Sequence, residues 1–177
     1  MIIRHAEKPG LTVPPQGIDI EGNPDPHSLT VRGWTRAGAL VELFASAYGT
    51  PPPGLARPTR IFAAGGAGGQ GRRPQQTVVP LASRLRLTVN TQYAKGDEKA
   101  ITKDAASRPG TSLICWEHEE IPNLAATFSH ASPDPPPAWP DGRFDLVWVF
   151  APTATGWSFS QFPQLLLDGD SDQTISA

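Results

Sequence analysis

Residues 2–9 read Ile-Ile-Arg-His-Ala-Glu-Lys-Pro. Two β-branched residues followed by an abrupt change to charge form the pattern of a short buried strand running into a loop. In an open α/β sheet, sites form outside the carboxyl ends of strands. Arg4 and His5 therefore stand where chemistry is expected. A neutral imidazole is a nucleophile near pH 7, and a guanidinium fork matches the oxygens of a phosphate. An Arg-His pair by itself is more often an ordinary surface dipeptide, so the remainder of the chain has to supply the context.

Outward from this stretch, the chain alternates strand-like and helix-like segments. Residues 10–27 are rich in Pro, Gly, Asp and Asn and read as a loop. Thr30 to Tyr48 has helical spacing, with Val31, Trp34, Ala37, Leu40, Val41, Phe44 and Ala47 on one stripe. Thr30 is its expected N-cap, and Gly49 with the prolines after it ends it. Arg60 to Ala64 is a second strand, and Gly65 to Gly71 a glycine-rich loop. Arg73 to Leu87 is a second helix that Pro80 should bend. An extended segment from Leu87 to Tyr93 precedes a weak helix over Asp97 to Ser107. Thr111 to Trp116 reads as a buried strand and Glu119 to Phe128 as a short helix. The proline-rich stretch from Ser132 to Pro140 is a loop, Phe144 to Phe150 another strand, and Trp157 to Leu167 a final strand. Strands separated by helices imply crossover connections. The expected architecture is a single α/β domain over residues 1–177, a three-layer αβα sandwich around a mostly parallel sheet.

Composition bounds the function. At 177 residues the chain can bury roughly two thirds of its unfolded surface without a disulfide or metal. Its 17 glycines and 20 prolines make up about a fifth of the residues, against a usual ~12%, and place much of the chain in loops. A net charge of −2 gives no global electrostatic grip on nucleic acid or an acidic membrane, so neither is an expected partner. Cys115 is the only cysteine, which excludes an intrachain disulfide and points to a reducing, cytoplasmic setting. No apolar run approaches the ~20 residues of a membrane span. The N-terminus lacks the regions of a signal peptide. The chain is expected either to have no leader or to begin a few residues upstream of Met1.

Three further stretches bear on Arg4 and His5. Ser28 to Ala37 reads Ser-Leu-Thr-Val-Arg-Gly-Trp-Thr-Arg-Ala, Arg73 to Thr77 reads Arg-Pro-Gln-Gln-Thr, and Leu113 to Leu124 reads LICWEHEEIPNL, with His118 just past a strand. In this order, on strand ends, they resemble the histidine phosphatase superfamily, the phosphoglycerate mutase-like fold. Its motifs are Arg-His-Gly/Ala after the first strand, Leu-Thr-x-x-Gly-x-x-Gln/Arg-Ala at the first helix, Arg-x-x-Gln-Thr after the second strand, and a second histidine after a later strand. The likeness covers roughly residues 1–128. It departs from the family over residues 63–72, AAGGAGGQGR, where a serine usually precedes the arginine, and this bears on the rim of the pocket. Arg72 competes with Arg73 for the arginine's place, and the offset to Gln76-Thr77 favours Arg73.

The resemblance implies a metal-independent phosphatase acting on a small phosphorylated substrate or a phosphoprotein. His5 would be the nucleophile, with Arg4, Arg73 and His118 around the phosphoryl oxygens. Glu119, directly after the second histidine, is the favoured general acid; Asp97 and Glu98 are the alternatives. Glu7, Lys8 and Arg32 are either pocket-mouth residues or solvated charges. A phosphoglycerate mutase-type phosphotransferase and a non-catalytic phospho-ligand binder are the competing functions. No cofactor or metal is expected, because His5, His27, His118 and His130 have no ligand spacing and no thiol cluster accompanies them. The stretch from Gly65 to Gly71 lacks the Gly-Lys-Ser/Thr ending of a nucleotide phosphate loop. Substrate specificity is expected in the loops at 10–27, 65–71 and 132–143.

Overall fold

Strand β1 (Ile2–Arg4) is fully buried and lies inside a seven-stranded sheet. In the computed structural model, residues 1–10, 15–66 and 71–176 are described. The other elements are α1 (Val31–Ala45), β2 (Arg60–Ala63), α2 (Arg72–Leu85), β3 (Val89–Asn90), α3 (Glu98–Ala106), β4 (Ser112–Trp116), α4 (Ile121–Ala126), β5 (Ala131–Ser132), β6 (Leu146–Pro152) and β7 (Trp157–Pro163). The sheet order is β3-β2-β4-β1-β6-β7-β5.

The sheet is mixed: among the described strands β6 alone runs against its neighbours, and β5 pairs parallel with β7. β3, β2, β4 and β1 run parallel, each connected through a helix, whereas β6 is antiparallel to both β1 and β7. Only residues 153–156 separate β6 from β7, too few for the crossover that a parallel pair requires. The antiparallel strand shapes the site. The register Ile3↔Val147 places the loop leading into β6 beside the carboxyl end of β1. A parallel β6 would have brought that loop to the opposite end of the sheet, beside the amino end of β1.

Side chains alternate across the sheet as the period of two dictates. Ile3, Ile61, Leu113, Cys115 and Val147 face Leu40, Phe44, Val78 and Leu81 of α1 and α2. Ile2, Phe62, Ile114, Trp116 and Trp148 face Ile101 of α3 and Ile121 and Leu124 of α4. Helices thus cover both faces. Cys115 is fully buried, and burial raises its thiol pKa, which makes it an inert core residue.

Helix α1 starts as expected, with Thr30 Oγ1 accepting a hydrogen bond from the Gly33 amide at 3.1 Å. Its buried face differs from the apolar stripe. Val31 is 62% exposed and Ala47 lies beyond the helix, while Arg36 is buried. An ion-pair network, described below, explains the substitution of an arginine for an apolar side chain. The extended segment after Leu87 contributes only Val89–Asn90 to the sheet, the final strand ends at Pro163, and β5 appears where a loop was expected. No described helix is long and apolar enough to cross a membrane.

Candidate active site

The carboxyl ends of β1, β2 and β4 lie level with one another. Arg4 pairs with Trp116, Ala63 pairs with Cys115, and the His5 amide donates to the Trp116 carbonyl at 3.0 Å. Arg4, His5, Glu117 and His118 therefore leave the sheet side by side, and α2 begins on the adjacent strand's loop. Gly71 at the start of α2 has φ +76°, and a Cβ there would strike the Ala64 carbonyl, so the turn that delivers Arg73 requires glycine.

The residues that carry the sequence likeness hold one another. Thr77 Oγ1 accepts from the Ala6 amide at 2.8 Å and donates to the Arg73 carbonyl at 2.8 Å. Gln76 Oε1 accepts from the Leu29 amide at 3.0 Å, and its Nε2 donates to Ser28 Oγ at 2.8 Å. The Thr30 amide donates to the Glu7 carbonyl at 3.0 Å. A Cβ on Gly33 would lie 2.6 Å from that carbonyl, so the helix can approach the loop only with glycine there. These stretches, distant in sequence, form one scaffold beneath His5.

Arg4 is almost fully buried. Its Nη1 donates to the carbonyls of Pro140 at 3.2 Å, Arg143 at 3.1 Å and Asp141, and its Nη2 lies 3.2 Å from Asp141 Oδ1. The guanidinium stacks 3.9 Å from the centroid of Phe144. Burial pulls its pKa down to about 10, opposed by Asp141 and assisted by the charge of Arg73. His5 Nδ1 lies 2.7 Å from the Ala6 carbonyl. A carbonyl can only accept, so Nδ1 carries the proton and Nε2 keeps its lone pair. Burial, then the charges of Arg4, Arg73 and Lys8, push the His5 pKa down to about 3, partly offset by the hydrogen bond to Ala6. The ring is neutral throughout the physiological range.

Arg73 and Arg72 separate clearly. Arg72 is half exposed and pairs with Asp25, on the far side of a network with Ser28. Arg73 Nε is buried with no hydrogen-bond partner among the described residues. Burial lowers its pKa, against the attraction of Glu117 and Asp25. His118 Nε2 lies 3.2 Å from Asp141 Oδ1, while its Nδ1 is buried and unpartnered. Its pKa is lowered by burial, then by Arg4 and Lys8, with Asp141 and Glu119 opposing.

The carboxylates sort by partner. Glu119 is 64% exposed at the rim and pairs with Lys95 Nζ at 3.2 Å, which also holds Glu120 at 3.0 Å. Glu98 is buried and accepts from Trp116 Nε1 at 3.2 Å and the Gly96 amide at 3.1 Å. Asp97 accepts from the Ala94 amide at 2.9 Å, next to the helix it starts. Both alternative acids are thus engaged in local structure. Glu7 is gripped by Arg36 and Arg32, and Arg36 also binds Asp170 Oδ1 at 2.6 Å, both side chains 3% exposed. This network ties the His5 loop to the C-terminal segment and accounts for the buried Arg36. Lys8 lies 3.3 Å from Asp141 Oδ1.

Sequence reasoning missed Asp141, Asp170 and the burial of Arg36, whose place in the motif at Ser28 to Ala37 it notes without a role. Nothing in the spacing of a Pro-rich loop marks Asp141; only the antiparallel β6 delivers it. His27 and His130 are exposed. No group of three metal-ligating side chains occurs among the described residues. Residues 11–14 and 67–70 of the expected specificity loops lie outside the described residues. A comparison with protein-family models and with curated proteins found no match.

Proposed function

We propose that the protein is a phosphomonoester hydrolase of the phosphoglycerate mutase-like fold that works through a phosphohistidine on His5. One observation carries this reading. Among the described residues, Arg4 Nε and Arg73 Nε are buried side-chain donors without a partner, and both belong to the residues expected to hold the phosphoryl group. An orphaned buried donor costs about 1–3 kcal/mol and is rare, and a bound anion would complete it. Two arginines whose charges both act on a neutral His5 suit a tetrahedral oxyanion.

His5 Nε2 bonds to phosphorus as the bond from phosphorus to the leaving oxygen breaks, and Glu119 gives that oxygen a proton. Water then attacks phosphorus, the N–P bond breaks with its electron pair returning to Nε2, and the water's proton restores Glu119. Arg4, Arg73 and His118 stabilise charge on the equatorial oxygens, the main source of catalysis in phosphoryl transfer. The substrate is a small phosphorylated molecule or a phosphoprotein, and the single buried cysteine supports a cytoplasmic setting.

The test is hydrolysis of p-nitrophenyl phosphate in excess EDTA. The reading expects turnover that His5→Ala abolishes; undiminished turnover in that variant removes His5 as nucleophile. Transfer between positions of phosphoglycerate without release of free phosphate would instead identify a mutase.

A further inference from the structure

The Asp141 carboxylate occupies an unusual place. One oxygen, Oδ1, lies 3.2 Å from Arg4 Nη2, 3.3 Å from Lys8 Nζ and 3.2 Å from His118 Nε2. An oxygen held by three nitrogen donors in this way has the surroundings of a bound phosphoryl oxygen. Yet the side chain is 75% exposed. Its partners lie deeper: the Arg4 side chain is fully buried and that of His118 is 11% exposed. The carboxylate therefore reaches into the cluster from the mouth.

We infer that Asp141 is a resident anion that competes with the phosphoryl group for Arg4, Lys8 and His118, and so sets how tightly the site holds substrate and free phosphate. The inference rests on the phosphoryl-site reading above and adds its regulation. A dianion entering the cluster meets a like charge on Oδ1, and the two cannot share the same donors at hydrogen-bond distance. The carboxylate must turn out toward solvent.

The local structure permits a side-chain turn without opening the loop. The backbone of this loop is clamped, because the carbonyls of Pro140, Asp141 and Arg143 all accept from Arg4 Nη1. Phe144 lies under the same guanidinium. The neighbouring Gly142 faces open space, with no atom beyond its chain neighbours within 4 Å of the position a Cβ would take. Arg4 thus keeps its orientation while its Nη2, and the Lys8 and His118 nitrogens, pass from the carboxylate to the ligand. Departure of product phosphate is assisted by the returning carboxylate.

Removing the competitor should raise affinity, an effect that damage to the site would not produce. A hydrogen bond to a charged group is worth about a factor of ten or more in binding. Calorimetric titration with inorganic phosphate is expected to show Asp141→Asn and Asp141→Ala binding roughly tenfold more tightly than the unsubstituted chain. The inhibition constant for phosphate during turnover should fall in step. In the unsubstituted chain, saturating phosphate should shift the carboxyl-carbon resonance of Asp141 as it leaves its three partners. Equal or weaker binding by both variants, or an unmoved resonance at saturation, overturns the inference. If phosphate binds the unsubstituted chain and Arg73→Ala abolishes that binding while the Asp141 variants bind no tighter, only the competitor role fails. If folded protein binds no phosphate with or without Asp141, the phosphoryl-site reading fails with it.

Discussion

Thr77 and Ala6, 71 positions apart, are joined by a hydrogen bond of 2.8 Å from the Ala6 amide to the Thr77 hydroxyl. The same hydroxyl donates to the Arg73 carbonyl. One oxygen therefore fixes the loop that carries His5 against the helix that carries Arg73. Replacing Thr77 by Val keeps the shape but orphans a fully buried amide, which costs about 1–3 kcal/mol. Thermal unfolding should register that loss, and kcat for p-nitrophenyl phosphate should fall with it. Thr77→Ser should recover most of both. Full activity in a folded Thr77→Val chain would show that this bridge does not hold the site.

Arg73 presents the opposite balance. It has a buried, unpartnered Nε and a pKa lowered by burial, so the folded protein gains little from it in the absence of ligand. Arg73→Ala should leave the melting temperature unchanged or slightly raised. Its kcat/KM should fall by about 10²–10³, the cost of losing one donor to transition-state charge. A variant that loses stability and keeps its activity would make Arg73 a structural residue.

His5 carries a pH signature. Its folded pKa is about 3, well below the usual 6.5, because burial and then the neighbouring cations disfavour the imidazolium. A depressed folded pKa means that the unfolded chain binds the proton first as pH falls. His5 therefore contributes stability that is fully present above about pH 6.5 and is lost progressively as pH falls toward 3. Denaturation profiles of the unsubstituted chain and His5→Asn should diverge across that window, the variant losing less stability. The His5 ring resonances should stay flat from pH 5 to 8. A midpoint near 6.5 would contradict the buried, neutral ring.

Much of this was legible from sequence, and the exceptions have physical causes. The parallel half of the sheet and its strand ends follow from short apolar runs separated by helices, as at Ile2–Arg4, Arg60–Ala63 and Ser112–Trp116. Arg36 escaped because hydrophobic periodicity counts an arginine as exposed, whereas two carboxylates, Glu7 and Asp170, satisfy it inside. Asp170 lies 134 positions away, and no local pattern connects the pair. Asp141 escaped because pairing direction is not written in the composition of β6. Because β6 runs antiparallel to β1, the loop before β6 lies against Arg4.

Glu119 follows His118 directly, is 64% exposed and pairs with the half-exposed Lys95. General acid catalysis matters where the leaving oxygen is basic. Glu119→Gln should lower kcat for an alkyl phosphomonoester by about 10² or more while sparing p-nitrophenyl phosphate, whose leaving group departs without a proton. An equal loss on both substrates would remove Glu119 from the proton transfer.

The most direct test of the phosphohistidine account is to quench turnover of a 32P-labelled phosphomonoester rapidly in base and map the label. The account predicts an alkali-stable, acid-labile phosphoryl group on the peptide containing His5, formed within the first turnover and absent from His5→Ala. Steady hydrolysis with no label at His5, or label on another residue, would contradict it.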